Sequence, residues 1–345
     1  MTNAERIPLP SYRIDWLEMR RTGIGGSDVA ACLGLNPWRT PVQVWEDKTG
    51  RAEHSVQSEN AYWGTMLENL VAKEFEKRLG MKIQRVNRIL RDGENGWMIA
   101  NIDRAIINPD ISGNVRVIED ADKIAASGGR RITTNAILEC KTAHAFTASD
   151  WGDTQEYEIA TGELVSEHKI PTHYETQVQW YLGVTGASIC YVAVLIGGSD
   201  FRVYRIERDE ECIAVLREKC WEFWSKFVLA DTPPEPINIE DVKRLFKVDD
   251  GEMAEADNET AADIGEYVKI SEQIKQLDKE KGALALRITN TIGEMLGLTI
   301  GGNKACTFKA VTSKRFDSKR FKIEHPALWD QYAVESTNRI FKTYY

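Results

Sequence analysis

Ile137-Leu-Glu-Cys-Lys141 is a short apolar run interrupted by two charges. Side chains alternate along a strand, so Glu139 and Lys141 share one face of it while Leu138 and Cys140 face the other way. Upstream, Trp97-Met-Ile-Ala-Asn-Ile-Asp103 reads as another apolar strand ending on an acid, behind the turn Asp92-Gly-Glu-Asn-Gly96. Neighbouring strands of one sheet would bring Asp103 and Glu139 together.

Two carboxylates a few Å apart either raise a pKa or recruit a cation. Oxygen donors of this kind favour Mg²⁺ or Mn²⁺, which complete their shells with water and substrate phosphate. A lysine beside them can lower its own pKa and act as a general base, or orient an attacking water. Asp followed by Glu-x-Lys is thus a layout for metal-dependent phosphodiester hydrolysis. By itself the pattern is also that of a half-exposed strand with an ordinary ion pair.

Outward from this segment, residues 60–80 carry Leu67, Leu70, Val71, Phe75 and Leu79 at helical spacing, with Gly80 as a stop. Glu68 falls on the same face as Val71, Ala72 and Phe75, and an unpaired inward carboxylate is costly. A helix over Tyr174–Gly186 precedes strands at Ser188–Ile196 and Phe201–Glu207, separated by the hairpin signal Gly197-Gly198. An amphipathic helix spans 209–230, and Pro233-Pro234-Glu-Pro236 marks a boundary. Near the start, Thr22-Gly-Ile-Gly-Gly-Ser-Asp28 reads as a loop opening a helix, with Ser27 and Asp28 at cap positions before Val29-Ala-Ala-Cys-Leu33. Residues 108–135, rich in Gly, Asp, Asn, Ser and Thr, read as a solvent-side insertion. Beyond 236, Tyr267, Ile270, Ile274, Leu277, Lys281, Leu284 and Ile288 alternate at spacings of three and four, a heptad-like stripe expected to pack as a helical arm within the chain, the alternative being contact within an oligomer or with a partner.

The whole chain has 345 residues, 42% hydrophobic and 28% charged, enough for one large core plus a smaller module. The expected division is 1–235 and 236–345. Lys and Arg number 44 against 53 Asp and Glu, a net charge of −9 that excludes attraction of the whole surface to nucleic acid. Any positive potential must be local. Six cysteines at 32, 140, 190, 212, 220 and 306 have no paired spacing, which fits free thiols in a reducing cytosol. No apolar run of membrane-spanning length and no signal-peptide layout is present, so a cytoplasmic location and no membrane partner are expected.

Five segments occur in the order seen in the YqaJ-like viral recombinase family: Trp16-Leu-Glu-Met-Arg-Arg-Thr-Gly-Ile-Gly-Gly-Ser-Asp28, Trp63-Gly-Thr-Met-Leu-Glu68, Asn101-Ile-Asp103, Leu138-Glu-Cys-Lys-Thr142 and Tyr174-Glu-Thr-Gln-Val-Gln-Trp-Tyr-Leu182. The chain resembles that family over roughly residues 10–230. The family's relatives include lambda-type 5′→3′ exonucleases of the PD-(D/E)xK superfamily. The resemblance implies an α/β fold with a restriction-endonuclease-like core, a central mixed sheet flanked by helices, followed here by an α+β C-terminal extension. It implies hydrolysis of one strand of linear double-stranded DNA from its 5′ end, with two Mg²⁺ (or Mn²⁺) ions per site. The 3′ single-stranded tail would pass to a single-strand annealing protein in phage-type recombination, and the assembly would be a homo-oligomeric ring, a trimer, in a bacterium or its phage.

Matched residue by residue, the resemblance makes Asp103, Glu139 and the Cys140 backbone carbonyl metal ligands, and Lys141 the lysine that prepares the water. It gives Glu68 to the second metal or its waters, makes Gln177 the helix glutamine with Tyr181 one turn on, and puts Arg20 and Ser27 in a pocket for the terminal 5′-phosphate, a role Arg21 could exchange with Arg20. A guanidinium and a hydroxyl beside a glycine-rich turn suit an anion independently of the resemblance. A further acidic ligand within 108–135, Asp110 or Glu119, has no assigned role, and the region after 240 lies outside the mapped part. Trp38, Trp45 and Trp63 are expected in the core, His144 in a structural role, and the basic stretch Lys314–Lys322 either on DNA or simply solvated. The rivals are an endonuclease of the same superfamily and a non-catalytic DNA-end-binding scaffold.

Overall fold

The computed structural model describes residues 5–8, 18–52, 58–86, 88–107, 116–117, 133–152, 170–335 and 337–344. Asp110 and Glu119 lie outside the described residues. The chain divides into two compact units, 1–242 and 243–345.

The first unit is built on a five-stranded mixed sheet. Its strands are β3 (Ile83–Arg85), β6 (Arg104–Ile106), β9 (Ala136–Ala143), β10 (Ile189–Ile196) and β11 (Asp200–Glu207), in the spatial order 11-10-9-6-3. β9 and β10 run parallel, with Glu139 opposite Val192, and every other pair is antiparallel. A second sheet holds β1 (Glu5–Pro8), β4 (Arg88–Arg91), β5 (Met98–Ala100) and β2 (Ile24–Gly25), in the order 1-4-5-2. This is the mixed α/β architecture expected from the sequence.

One face of the five-stranded sheet is covered by the helix α3 (Glu59–Leu79), after the short helices α1 (Gly26–Cys32) and α2 (Pro41–Lys48). The Ser58 hydroxyl caps the start of α3 by accepting from Ala61 N–H, and Gly80 ends it with φ +68°, where a side chain would be strained. Val71, Ala72 and Phe75 pack on Ile106, Leu138, Tyr191 and Ala193. Phe75 is fully buried, and its truncation to Ala would cost about 3–5 kcal/mol. Leu138 and Cys140 turn toward α3 as the alternation predicts. Glu139 and Lys141 turn toward α4 (Thr172–Thr185), the helix before β10. Past Leu229, where α5 (Glu210–Phe223) has loosened into a π-helical turn over Trp224–Leu229, the chain remains with the first unit. There the buried Asp241, on α6 (Ile239–Leu245), accepts from the Thr40 hydroxyl at 2.7 Å.

The tryptophans divide. Trp45 is buried, but Trp38 and Trp63 are 70% and 54% exposed, so the expectation of core positions fails for both. Asn36 Oδ1 accepts from Trp38 N–H and Arg39 N–H, and this turn carries the Trp38 ring outward.

The second unit comprises the 35-residue helix α7 (Asn258–Ile292), a hairpin of β12 (Gly297–Ile300) and β13 (Asn303–Thr307), and the short helices α8 (Ser318–Glu324) and α9 (Pro326–Tyr332). The expected packing of the heptad stripe within the chain is not found: every residue from Lys269 to Ile288 is exposed. Among the described residues, no helix is long and apolar enough to cross a membrane.

Candidate active site

At the start of β6 the ladder between β6 and β9 ends. The register pairs Arg104 with Leu138, so one step further sets Asp103 against Glu139. There the Asp103 side chain takes over from the backbone, its Oδ2 accepting from Cys140 N–H at 2.8 Å. Asp103 and Glu139 thus flank the same peptide, as the strand reading anticipated.

Glu139 is 4% exposed. Its Oε1 accepts from Lys141 Nζ at 2.7 Å and from Gln177 Nε2 at 2.8 Å. Gln177 stands on α4 with its amide fully used: Oε1 accepts from Lys141 Nζ at 3.0 Å, and Nε2 also donates to Tyr181 Oη at 2.9 Å. The spacing of four on one helix face puts Gln177 and Tyr181 in this contact. Lys141 Nζ also stands 4.6 Å from the centre of the Tyr174 ring. Glu139 Oε2 is buried and has no hydrogen-bond partner.

The charges explain the pKa shifts. Burial pushes the Asp103 carboxyl well up, and the neighbouring charges of Glu139 and Glu68 push it further. Burial also raises Glu139, against the opposing pull of Lys141. Burial alone would lower Lys141, but Glu139 beside it reverses the direction, so the amine is held as ammonium. Of the two roles open to this lysine, the carboxylate beside the amine favours orienting a water over acting as a general base.

Glu68 reaches this cluster from α3, as its inward position implied, but its Oε1 is bound by Arg104 Nη1 at 2.5 Å. Arg104 also donates to the Asp103 backbone carbonyl at 2.8 Å. With Glu68 turned onto Arg104, no three side chains of ligand type converge on one point among the described residues. The donor set nonetheless suits a hard cation: crowded carboxylates with raised pKa values and one buried carboxylate oxygen lacking a partner.

Next to this cluster, Arg20, Ser27, Asn101 and Tyr181 line a recess of about 60 Å³ together with Gly25, Gly26, Ile89, Ile99 and Ala100. Arg20 Nη2 donates to Ser27 Oγ at 2.8 Å, so Arg20 is the arginine of this recess. Tyr181 joins the two places, its ring lining the recess and its hydroxyl bonded to Gln177. Gly26 makes the close approach possible, since a Cβ there would stand 2.4 Å from Tyr181 Cε1.

Beneath the recess lies a group that the sequence reading passed over. Asp28 is fully buried. Its Oδ2 pairs with Lys48 Nζ at 2.6 Å and accepts from Gly25 N–H at 3.0 Å, and its Oδ1 pairs with Arg39 at 2.5 Å. Arg20 Nη2 lies 3.8 Å from Oδ1, and Lys48 Nζ donates to the Arg20 carbonyl at 2.8 Å. Burial would raise the Asp28 carboxyl, yet the Lys48, Arg39 and Arg20 charges overwhelm it and hold it well below the usual carboxylate range. As a helix cap, Asp28 gave no signal of this. Lys48 and Arg39 stand twenty and eleven residues away on other local elements. Arg104 was missed as well; a charge between Ile102 and Ala105-Ile106 in an apolar strand is the signal that could have found it. His144 is structural as read, its Nδ1 accepting from Phe146 N–H at a short 3₁₀ turn, Ala145–Asp150.

The YqaJ-like viral recombinase domain matches residues 15–188. The uncharacterized protein YqaJ of Bacillus subtilis (strain 168) is 36% identical over 340 residues, covering 95% of this chain and 93% of that protein. Among solved structures, an alkaline exonuclease from Laribacter hongkongensis is 17% identical with a TM-score of 0.43, over 67% of this chain and 97% of that one. A phage-related exonuclease from Haemophilus somnus 129PT is 11% identical with a TM-score of 0.39, over 61% and 96%.

Proposed function

This chain belongs to the YqaJ-like viral recombinase family, and on that premise we propose that it is a divalent-metal-dependent exonuclease that degrades one strand of linear double-stranded DNA from a 5′-phosphorylated end. The observation that carries the reading is the meeting of Asp103, Glu139, Lys141 and Gln177 at one strand end, with Glu139 Oε2 buried and unpartnered. Asp103, Glu139 and the Cys140 carbonyl would hold Mg²⁺ or Mn²⁺, and Glu68 a second ion or its waters once released from Arg104. Bound there, the ions would supply Lewis-acid stabilisation and a nucleophile at neutral pH.

The chain's own groups do the positioning. Lys141, held as ammonium between Glu139 and Gln177, orients the attacking water and offers a positive charge to the scissile phosphate. Gln177 fixes the rotamers of Lys141 and Glu139 together. Arg20 and Ser27 receive the terminal phosphate in the recess, and Tyr181 sets its distance from the cleaved bond. The resulting 3′ tail would serve strand annealing in recombination.

The test is digestion of three DNA substrates, a linear duplex with 5′-phosphate ends, the same with 5′-hydroxyl ends, and a closed circle, each with Mg²⁺ and with EDTA. Mononucleotide release from the phosphorylated duplex, several-fold slower from the hydroxyl ends, absent from the circle and abolished by EDTA, is the expected pattern. Cleavage of the circle would make the chain an endonuclease, and binding to ends without hydrolysis would make it a scaffold.

A further inference from the structure

The helix α7 is an unaccompanied rod over much of its length. From Lys269 to Ile288 every residue on every side is exposed, and these 20 residues span about 30 Å. Tyr267, Ile270, Ile274, Leu277, Leu284 and Ile288 are between 44% and 62% exposed, in the 3,4 alternation that gives a straight seam along one helix face. An isolated helix gains little from propensity alone, and a continuous apolar seam left in water forgoes the free energy its burial would release. The described residues contribute one ring contact to the seam, Phe341 against Tyr267 at its first turn.

We propose that α7 pairs antiparallel with α7 of a second copy of this chain, forming a two-stranded coiled coil that ties two chains together through their C-terminal units. The charges choose the occupant and its direction. With Tyr267, Ile274, Lys281 and Ile288 at position a, and Ile270, Leu277 and Leu284 at d, the flanking g positions are Glu266, Gln273, Glu280 and Arg287. In a parallel pair, Lys281 would meet Lys281 in one layer, and g would face e residues Ser271, Asp278 and Ala285, making no opposite-charge pair. In an antiparallel pair centred between Ile274 and Leu277, Tyr267 meets Leu284, Ile274 meets Leu277, and each Lys281 meets Ile270 of the other copy. Glu266 of each copy then meets Arg287 of the other at both ends of the seam. Shifting this register by one heptad toward the C-terminus sets Glu280 against Glu280, a like-charge contact that disfavours the slip. Among the described residues Glu266 forms an exposed ion pair with Lys269 at 3.4 Å, which exchanges readily.

The experiment is the solution mass of the full chain, by light scattering or sedimentation equilibrium across micromolar concentrations. Ile274→Glu with Leu277→Glu, two exposed positions that leave no cavity, is expected to halve the wild-type mass. Arg287→Glu replaces two attractive contacts by two repulsive ones and raises the dissociation constant about tenfold. Glu266→Arg added to Arg287→Glu restores it, because the antiparallel pair needs opposite signs rather than particular residues. A wild-type mass unchanged by the two seam substitutions overturns the pairing. Seam-dependent mass with no effect of the charge reversals overturns its antiparallel direction. Circular dichroism of each variant verifies that the first unit stays folded.

Discussion

Asp103, partly buried, and Asp28, fully buried, are aspartates of the first unit whose surroundings have opposite sign. Around Asp103 stand Glu139 and Glu68, so its carboxyl is pushed up, while the nearby cations are paired to those two neighbours, Lys141 to Glu139 and Arg104 and Arg85 to Glu68. Around Asp28 stand Lys48, Arg39 and Arg20, so its carboxyl is pushed down and the cluster keeps positive charge to spare. The first arrangement suits a cation and the second a terminal phosphate. Under the proposed function, the terminal phosphate would sit at the positive cluster and the metal at the carboxylates, the two places joined by Tyr181 and Gln177. Burial is common to both; only the identity of the neighbours differs.

The comparison breaks most visibly in activity. Lys141→Ala and Glu139→Ala should each lower the rate of nucleotide release roughly 10²–10⁴-fold, with circular dichroism showing that the variants remain folded, since the proposed role is in the reaction. Retention of wild-type rates by both would remove the catalytic assignment. Second in size is the contrast in stability. Asp28→Ala leaves the buried Lys48 without its counter-ion and the half-buried Arg39 with Asp47 alone, and should cost about 3–5 kcal/mol, whereas Asp103→Asn, in EDTA, should cost nothing or raise the melting temperature by relieving repulsion. Denaturant titration of the two variants reads the difference, and equal destabilisation would erase the distinction drawn between the clusters.

A smaller effect belongs to the join. Gly26→Ala forces the Tyr181 ring or α1 to move, at about 1–3 kcal/mol, and should reduce the preference for 5′-phosphate over 5′-hydroxyl ends more than the rate on saturating DNA. The last effect is at acid pH. Because the folded pKa of Asp28 is depressed, the stability it contributes is complete above the unfolded value of about 3.9 and is lost as pH falls below that toward the folded one. Asp28→Asn should flatten the acid limb by at most about 1.4 kcal/mol per pH unit, measured as unfolding free energy between pH 4 and pH 2.

Much of the fold was legible because its elements are periodic over many residues. The α3 stripe with its Gly80 stop, the β10–β11 hairpin and the alternation in β9 each follow from a local repeat that tertiary packing merely accepts. Misreadings arose where the outcome depends on distant partners. Trp38 and Trp63 are aromatic and were read as core, but nothing local tells an aromatic side chain that the neighbouring element leaves it uncovered. The spacing of α7 marks a seam, but whether that seam closes within the chain or on another molecule is not local information, and in the chain it is exposed. The lysine of the Glu-x-Lys strand was found, but its protonation depended on how near Glu139 and Gln177 stand to it.

The amino-acid sequence determined which side chains share a face: Glu139 with Lys141, Gln177 with Tyr181, and the heptad residues of α7. These relations depend only on helix and strand periods, which backbone sterics impose. Tertiary structure decided the sign of each site. Whether such an aspartate faces two acids or three cations depends on residues eight to thirty-six positions away, and Coulomb interactions in a poorly screened interior act on distance in space without regard to distance along the chain.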